Sequence, residues 1–444
     1  MIKQILVANR GEIAVRIIRT CREMNLKTVA IYSEADQGAL HTKLADRALC
    51  VGPPLATESY LNANNIIAAA CSSGCDAIHP GVGFLAESST FAEAVSAAGL
   101  KFIGPHPQTI ALLGDKVKSR QLAKKLRIPL LPGSHKPVAN LNEARRQAHR
   151  MEYPIMLKAK SGGGGRGIRV VNTFQELLKV FPEASLEAQN SFGDGQLFLE
   201  SYIANPRHIE IQLLADSAKN VVILGERDCS LQKNHQKIIE EGPASLLSPA
   251  LRQNLYTASK RLFTHLGYLG AGTVEFLVQG EEYWFLEVNA RIQVEHPVSE
   301  LLTQTDIVQW QIKIAEGKLL PPQEHFTIRG HALECRLNAT TVGKITTLIL
   351  PQGPKVRVDS HLFNGATVTP LYDPLLAKII VHTTERQQSI AAMRRALDEL
   401  IIEGINTNRE ELREILTSSD FLKGEYGTNL YNRLFSEVRH AAIS

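Results

Sequence analysis

Residues 272–296 read G-T-V-E-F-L-V-Q-G-E-E-Y-W-F-L-E-V-N-A-R-I-Q-V-E-H. Two apolar-rich runs flank Gly280, which predicts two strands joined by a tight turn. On the return strand Trp284, Leu286, Val288, Ala290, Ile292 and Val294 alternate with Phe285, Glu287, Asn289, Arg291, Gln293 and Glu295. Strand side chains alternate between faces, so the second, mostly polar set is expected on one face. A turn centred near residue 281 puts Glu275 opposite Glu287. Two carboxylates facing each other across a ladder repel, and a cation between them removes that cost. Glu275, Glu287 and the amide oxygen of Asn289 form a hard-oxygen set suited to Mg²⁺ or Mn²⁺. A solvated strand face with scattered charges is the competing reading of the same spacing.

Upstream, the same kind of chemistry gathers. Residues 153–159 read as a strand leading into Lys160-Ser161-Gly162-Gly163-Gly164-Gly165-Arg166-Gly167, and residues 168–171 resume a strand. The glycine loop therefore joins strand to strand, and it lacks the G-K-[ST] of a Walker A loop. Four consecutive glycines cost backbone entropy that a plain hairpin turn does not require. They allow amide N–H groups close to phosphate oxygens in a flap that opens and shuts, with Lys158, Lys160 and Arg166 supplying charge. Thr173 and Glu176 read as a capping box that starts a helix. In residues 206–213, His208, Glu210 and Gln212 fall on one face of an alternating strand. Residues 226–237, E-R-D-C-S-L-Q-K-N-H-Q-K, are dense in donors with little to bury, and read as a loop forming an anion-binding wall.

The N-terminal third opens β-α-β: a strand at residues 5–8, a helix carrying Ile13, Ile17 and Cys21, and a strand at 27–32. Gly11 stands alone where a dinucleotide fingerprint needs three glycines, so a structural open sheet is the better reading. Lys116 opens a further helix, and the first domain is expected to close near Gly114.

At 444 residues the chain is too long for one core, so two to four domains are expected. Hydrophobic content of 44% and charged content of 21% are ordinary for a globular protein. A net charge of +4, spread along the chain, argues against a nucleic-acid binder. The six cysteines form no C-x-x-C pair and read as reduced thiols. With no signal-like start and no membrane-length apolar run, a cytoplasmic location is expected.

Together these strings resemble the ATP-grasp superfamily and, within it, the biotin carboxylase family that forms part of acetyl-CoA carboxylase. The resemblance rests on Ala8-Asn9-Arg10-Gly11-Glu12-Ile13-Ala14, His79-Pro80-Gly81, Gly114-Asp115-Lys116, the glycine loop at 162–167, Pro206-Arg207-His208-Ile209-Glu210, Glu226-Arg227-Asp228-Cys229-Ser230 and His235-Gln236-Lys237. Its most specific part is Asn289-Ala290-Arg291-Ile292-Gln293-Val294-Glu295-His296-Pro297. It implies a multidomain α/β and α+β protein with an ATP-grasp fold. Residues 1–114 would be a Rossmann-like open parallel sheet domain, 115–320 the ATP-grasp domain with a mobile lid at about 131–203, and 321–444 a C-terminal mixed β-sheet domain.

The resemblance also implies ATP-dependent carboxylation of biotin, the first half-reaction of acetyl-CoA carboxylase, feeding malonyl-CoA and fatty acid synthesis. Lys116, Lys158, Gly164, Gly165 and His208 would meet ATP phosphates. Glu200, Ser201, Tyr202, Ile203, His235 and Leu277 would line the rest of the nucleotide site. Glu275, Glu287 and Asn289 would bind two Mg²⁺ or Mn²⁺ ions. Lys237, Arg291, Gln293, Val294 and Arg336 would form the bicarbonate site, with Lys237, Arg291, Glu295 and Arg336 catalytic, Glu295 as general base and Arg336 at biotin. The sequence carries no Met-Lys-Met biotinylation motif, so biotin is expected on a separate biotin carboxyl carrier protein, with carboxyltransferase subunits beyond it. A homodimer through Arg16, Arg19 and Glu23 is expected by the same analogy.

Two departures from the family pattern stand out. Val82 replaces a tyrosine, and the segment from Asn338 to Ile345 lacks an acidic, proline-containing stretch. Alternative readings are the carboxylase subunit of another acyl-CoA or pyruvate carboxylase, another ATP-grasp ligase, and a nucleotide-binding regulatory protein without turnover.

Overall fold

The computed structural model describes residues 1–134, 136–160 and 167–441. The glycine loop, with Gly164, Gly165 and Arg166, lies outside the described residues.

The opening β-α-β unit is built as expected: strand Gln4–Val7, helix Gly11–Glu23, strand Lys27–Ser33. These strands belong to a five-stranded sheet whose pairs are all parallel. Apolar residues fill both faces of it, including Ile5, Val7, Ile13 and Ile17 on one side and Leu6, Val29, Ile31 and Ile78 on the other. At its carboxyl edge Asn9 Nδ2 donates to the carbonyls of Pro80 (2.8 Å) and Val82 (2.7 Å). Gly81 has φ of +66°, and a Cβ there would lie 2.8 Å from Asn9 Nδ2. The H-P-G string and the Asn9 string therefore fix one another, because only glycine fits between them.

The main element is an eight-stranded sheet. Its strands run in the order Glu282–Asn289, Gly270–Gln279, Arg207–Ala215, Val221–Lys233, Gln236–Gly242, His331–Asn338, Leu375–Thr383 and Val356–Ser360. Every neighbouring pair is antiparallel. The sheet runs without a break across the expected boundary at residue 320, because Gln236–Gly242 pairs with His331–Asn338. One face of its first half is apolar and packs on helix Pro249–Leu266, with Ile209, Ile211, Leu213, Val274 and Phe276 against Leu255, Leu262 and Phe263. The other face buries His208, Glu210, Gln212, Thr273 and Glu275. Burying that many polar groups requires partners for each, and those partners make the site.

Above this polar face sits a separate three-stranded sheet, Ile168–Val171, Ile155–Ala159 and Leu197–Ser201, backed by helices Leu141–Ala148 and Phe174–Phe192. It has its own apolar cluster, including Ile155, Leu157, Leu177 and Phe181. Thr173 caps the longer helix by accepting from Glu176 N. The Glu176 carboxylate, however, accepts from Asn172 N rather than from the cap residue, so the capping box is half formed.

Two elements differ from the sequence reading. Residues 226–237 are not a loop. Strand Val221–Lys233 runs through them and turns at Asn234 and His235, both with positive φ, into strand Gln236–Gly242. Residues 226–231 are buried, because ion pairing with the neighbouring strand replaces the apolar alternation that marks most strands. The return strand after Gly280 also ends at Asn289 rather than continuing through Val294. Beyond Asn289 the chain turns across the end of the sheet, held by Ala290 N to Glu87 Oε1 (3.1 Å) and Lys378 Nζ to the Val294 carbonyl (2.7 Å).

The short segment after Asn338 is closed by backbone pairs: Ala339 N to Pro374 O, Thr340 N to Asn406 O, and strand Gly343–Lys344 on Thr367–Val368. Asn408 clamps the end, donating to the Arg336 carbonyl and accepting from Asn338 N. Among the described residues no helix is long and apolar enough to cross a membrane.

Candidate active site

Glu275 and Glu287 face each other across the ladder as expected, although the turn at Gly280 and Glu281 would alone set Glu275 opposite Leu286. A bulge follows at Glu275/Phe276, so the register beyond it slips by one residue and Phe276 pairs with Phe285. Phe285 is buried in the apolar cluster rather than on the polar face.

Lys237 is the centre of the site. The positive-φ turn at Asn234 and His235 suits a tight hairpin and brings Lys237 back beside Gln232 on the polar face. Its Nζ donates to Glu210 Oε2 (2.6 Å), Glu295 Oε1 (2.7 Å) and Glu275 Oε1 (2.8 Å). Burial alone would pull the ammonium pKa down. Glu210, Glu275 and Glu295 outweigh it and hold the pKa well above the ordinary value.

Glu275 is almost saturated. Its Oε1 also accepts from Asn289 Nδ2 (2.8 Å) and Gln293 Nε2 (2.9 Å), and its Oε2 lies 2.9 Å from His208 Nε2. Burial would raise the Glu275 carboxyl; Lys237 and His208 reverse that and hold it well below the usual range. His208 is raised in turn, Glu275 outweighing the effect of burial.

Glu287 differs. Its side chain is exposed at the cleft mouth, yet desolvation by the walls around it, and then the charge of Glu275, raise its pKa. Across the ladder from an ionised carboxylate, with Asn289 Oδ1 nearby at 2.9 Å from Arg291 Nη2, this donor set fits a hard divalent cation. Lys116, at the first position of helix Lys116–Lys125, approaches from the other wall. Asp115 caps that helix by accepting from Val117 N and Lys118 N. Burial lowers the Lys116 pKa, while Glu287 opposes the shift.

Glu295 lies at the start of helix His296–Thr303, where the helix dipole favours an anion. Its carboxylate makes no cap hydrogen bond, because Lys237 takes Oε1 and Arg336 Nη2 takes Oε2 at 2.8 Å. Burial is again outweighed, by Lys237, Arg336 and Arg227, and Glu295 stays well below the ordinary carboxylate value. Arg336 also donates from Nε to Glu240 Oε1 at 2.6 Å. Arg291 is held by Glu87, Nε to Oε2 at 2.9 Å, so a loop of the N-terminal sheet orients it.

A second group sits under the lid. Glu200, at the end of strand Leu197–Ser201, pairs with Lys158 (2.5 Å) and with Arg120. Lys158 and then Arg120 overcome burial to depress its pKa. Ser201, Tyr202 and Ile203 follow it half-buried. Leu277 is half-buried, cross-strand from His208 and Trp284, and His235 is at the exposed hairpin tip. Thus the described candidates fall into a Glu200 group and a Lys237 group centred on its bonds to Glu210, Glu275 and Glu295.

Sequence reading assigned no role to Arg227, Glu210, Glu87, Arg120 or Glu240. Glu210 was detectable, since it shares the polar alternation with His208; the others are partners that only the fold brings in. Arg16 also departs from expectation. It is turned inward, bridging Glu300 (2.8 Å) and Asp306 (3.0 Å), while Arg19 and Glu23 are exposed.

A polar-faced antiparallel sheet beneath a small lid sheet, with converging lysines and carboxylates, defines an ATP-grasp ligase. The family description "Carbamoyl-phosphate synthase L chain, ATP binding domain" matches residues 115–323. "Biotin carboxylase, N-terminal domain" matches 1–110 and "Biotin carboxylase C-terminal domain" matches 335–433. Biotin carboxylase of Pseudomonas aeruginosa is 46% identical over 440 residues, covering 97% of this chain and 98% of that protein. The crystal structure of a Campylobacter jejuni biotin carboxylase–ATP complex superposes with a TM-score of 0.95 at 45% identity, covering 98% of this chain and 99% of that one. The biotin carboxylase domain dimer of Hydrogenobacter thermophilus 2-oxoglutarate carboxylase, solved with MgADP, ADP and bicarbonate, gives 0.94 at 42%, covering 98% of each. The biotin carboxylase component of a pyruvate carboxylase gives 0.84 at 44%, covering 99% of each. The chain belongs to the biotin carboxylase family, ATP-dependent carboxylases of the ATP-grasp class.

Proposed function

We propose that this chain carboxylates biotin carried on a separate biotin carboxyl carrier protein, using ATP and bicarbonate through carboxyphosphate. The observation that carries the reading is the Lys237 ammonium, in hydrogen-bond contact with Glu275 on the nucleotide side and Glu295 on the bicarbonate side. Lys116, Lys158, His208 and the Gly164 and Gly165 amides bind the phosphates. Glu200, Ser201, Tyr202, Ile203, His235 and Leu277 line the nucleotide. Arg291, Lys237, Gln293 and Val294 hold bicarbonate, the guanidinium bidentately. Glu295 takes the bicarbonate O–H proton, and the freed oxygen attacks the γ-phosphorus as the bond to ADP breaks. Carboxyphosphate then yields CO₂ and phosphate inside a closed lid, the released phosphate takes the proton of the biotin ureido nitrogen, and the N–C bond to CO₂ forms. Arg336 offsets the charge developing on the ureido oxygen.

Glu275, Glu287 and Asn289 would hold Mg²⁺ or Mn²⁺, as two ions, which neutralise charge on the phosphates. Glu287→Gln is expected to raise the Mg²⁺ concentration for half-maximal rate by about tenfold or more. An unchanged Mg²⁺ titration would remove Glu287 from the metal site.

Bicarbonate-dependent phosphate release, with and without biotin, tests the reaction. Arg336→Ala is expected to keep bicarbonate-dependent release while losing its stimulation by biotin. A rate indifferent to bicarbonate in the wild type sinks the assignment.

The partner enzyme is acetyl-CoA carboxylase, with its carboxyltransferase subunits, in malonyl-CoA and fatty acid synthesis in the cytoplasm. The chain acts as a homodimer, with Arg19 and Glu23 on the contact. The similarity to the biotin carboxylase component of a pyruvate carboxylase favours a second reading, a pyruvate carboxylase. Which carrier protein's biotin is carboxylated faster decides between them.

A further inference from the structure

Arg336 has a structure behind it that the reaction above does not use. Glu240, on strand Gln236–Gly242, and Glu334, on strand His331–Asn338, are direct cross-strand partners. Opposed residues of an antiparallel pair share a face, with Cβ atoms about 5 Å apart. Both side chains are fully buried. Glu240 Oε1 accepts from Arg336, but its Oε2 and both oxygens of Glu334 have no hydrogen-bond partner among the described residues. A buried carboxylate without donors is strongly disfavoured, whereas a neutral carboxylic acid is tolerated.

The cations facing the pair are already engaged. Arg336 is shared with Glu295, and Lys237 serves Glu210, Glu275 and Glu295. Lys378, on strand Leu375–Thr383, lies 3.1 Å from Glu12 of helix Gly11–Glu23 and donates to the Val294 carbonyl. Asp359, on strand Val356–Ser360, lies 3.8 Å from the same Lys378. Helix His296–Thr303 adds His296, whose Nε2 has no hydrogen-bond partner among the described residues and lies 3.9 Å from Glu300 Oε2. Burial drives Glu334 well above the ordinary carboxylate value and pushes Glu240 up to about 7 in spite of Arg336.

We propose that Glu240 and Glu334 hold one proton between them and act as a positioning pair for Arg336, keeping its guanidinium bridged between Glu240 and Glu295. The proposal deepens the carboxylase reading and rests on it. When Glu295 accepts the bicarbonate proton, its O–H bond forms as that of bicarbonate breaks, and its hold on Arg336 weakens. Glu240 then keeps the guanidinium in place for the ureido oxygen. Loss of the shared proton would put a second negative charge beside Glu240 and draw Arg336 away from the cleft.

Infrared difference spectra of the full chain across neutral to alkaline pH read the proton directly. A protonated-carboxyl band that shifts in D₂O is expected in the wild type and is expected to be missing in Glu334→Gln. A wild type without the band, or a variant with the same band, overturns the proposal. In turnover, Glu334→Gln, a neutral group of the same shape, is expected to outperform Glu334→Ala and to lack the alkaline fall in biotin-dependent rate. An alkaline limb identical to the wild type counts against the pair. Glu240→Gln is expected to raise KM for biotin by about tenfold with a smaller change in kcat, because a charge-assisted bond to Arg336 is lost. Should bicarbonate-dependent phosphate release be absent altogether, the reaction fails and the infrared band alone decides the carboxyl pair.

Discussion

Lys237→Ala is expected to lower bicarbonate-dependent phosphate release by about a hundredfold to a thousandfold, the usual cost of removing one preorganised charge from a transition state. It is also expected to destabilise the fold. Glu210, Glu275 and Glu295 all bond to the one ammonium, and removing a single partner of a buried charge cluster costs about 3–5 kcal/mol. The pH dependence has a definite sign. Glu275 and Glu295 are held below the ordinary carboxylate range, so their stabilisation is present above the unfolded-state value and is lost as pH falls through the folded-state one. The gap in stability between wild type and variant is therefore expected to be widest near neutral pH and to shrink toward acid pH. Circular-dichroism denaturation at several pH values reads that gap. A gap independent of pH would mean that Lys237 does not set those two carboxyls.

What the sequence disclosed about this centre follows from what periodicity can encode. The Glu275–Glu287 pairing was expected from a turn centred at residue 281. The turn lies at Gly280 and Glu281, a register that alone opposes Glu275 to Leu286, and the bulge supplies the extra residue that brings Glu287 into place. That bulge was not legible, since an extra residue leaves no compositional mark when both flanking positions are apolar or aromatic. The alternation that placed Arg291, Gln293 and Glu295 on the polar face did not hold, and their expected roles came from the family resemblance instead. They appeared to continue a strand face, but the strand ends at Asn289 and they reach the site from a turn. Residues 226–237 failed in the opposite direction. Their density of donors suggested a loop walling an anion site, and they are strand residues whose charges are paired inside. Arg16 misled in the same way, an arginine on an amphipathic helix that points into the chain. In each case the missing information was the identity of a partner distant in sequence, which hydrophobic patterning does not carry.

Arg227 is the sharpest case of that kind, and Arg227→Met is expected to be the most damaging substitution away from the substrates. Its guanidinium is fully buried and donates from Nε to Glu210, from Nη1 to Gln212 (2.9 Å) and Ser299 (2.8 Å), and from Nη2 to Gln293 (3.0 Å) and Thr273 (3.5 Å). These partners lie on strands Arg207–Ala215 and Gly270–Gln279, on helix His296–Thr303 and in the turn that carries Gln293 and Glu295. Methionine keeps much of the length but none of the donors, leaving Glu210 with Lys237 alone. A loss of about 3–5 kcal/mol is expected for breaking such a buried pair from one side. Since a chain of several domains need not unfold in one step, amide hydrogen exchange on strands Arg207–Ala215 and Val221–Lys233 is the appropriate measurement. Protection there is expected to fall sharply while the N-terminal parallel sheet keeps its own. Adding Glu210→Gln to Arg227→Met removes the stranded charge and is expected to restore part of the protection, a coupling that a double-mutant cycle measures. If the single variant exchanges like the wild type, Arg227 is not the tie between sheet and turn. Glu295 would then owe its position to Lys237 and Arg336 alone.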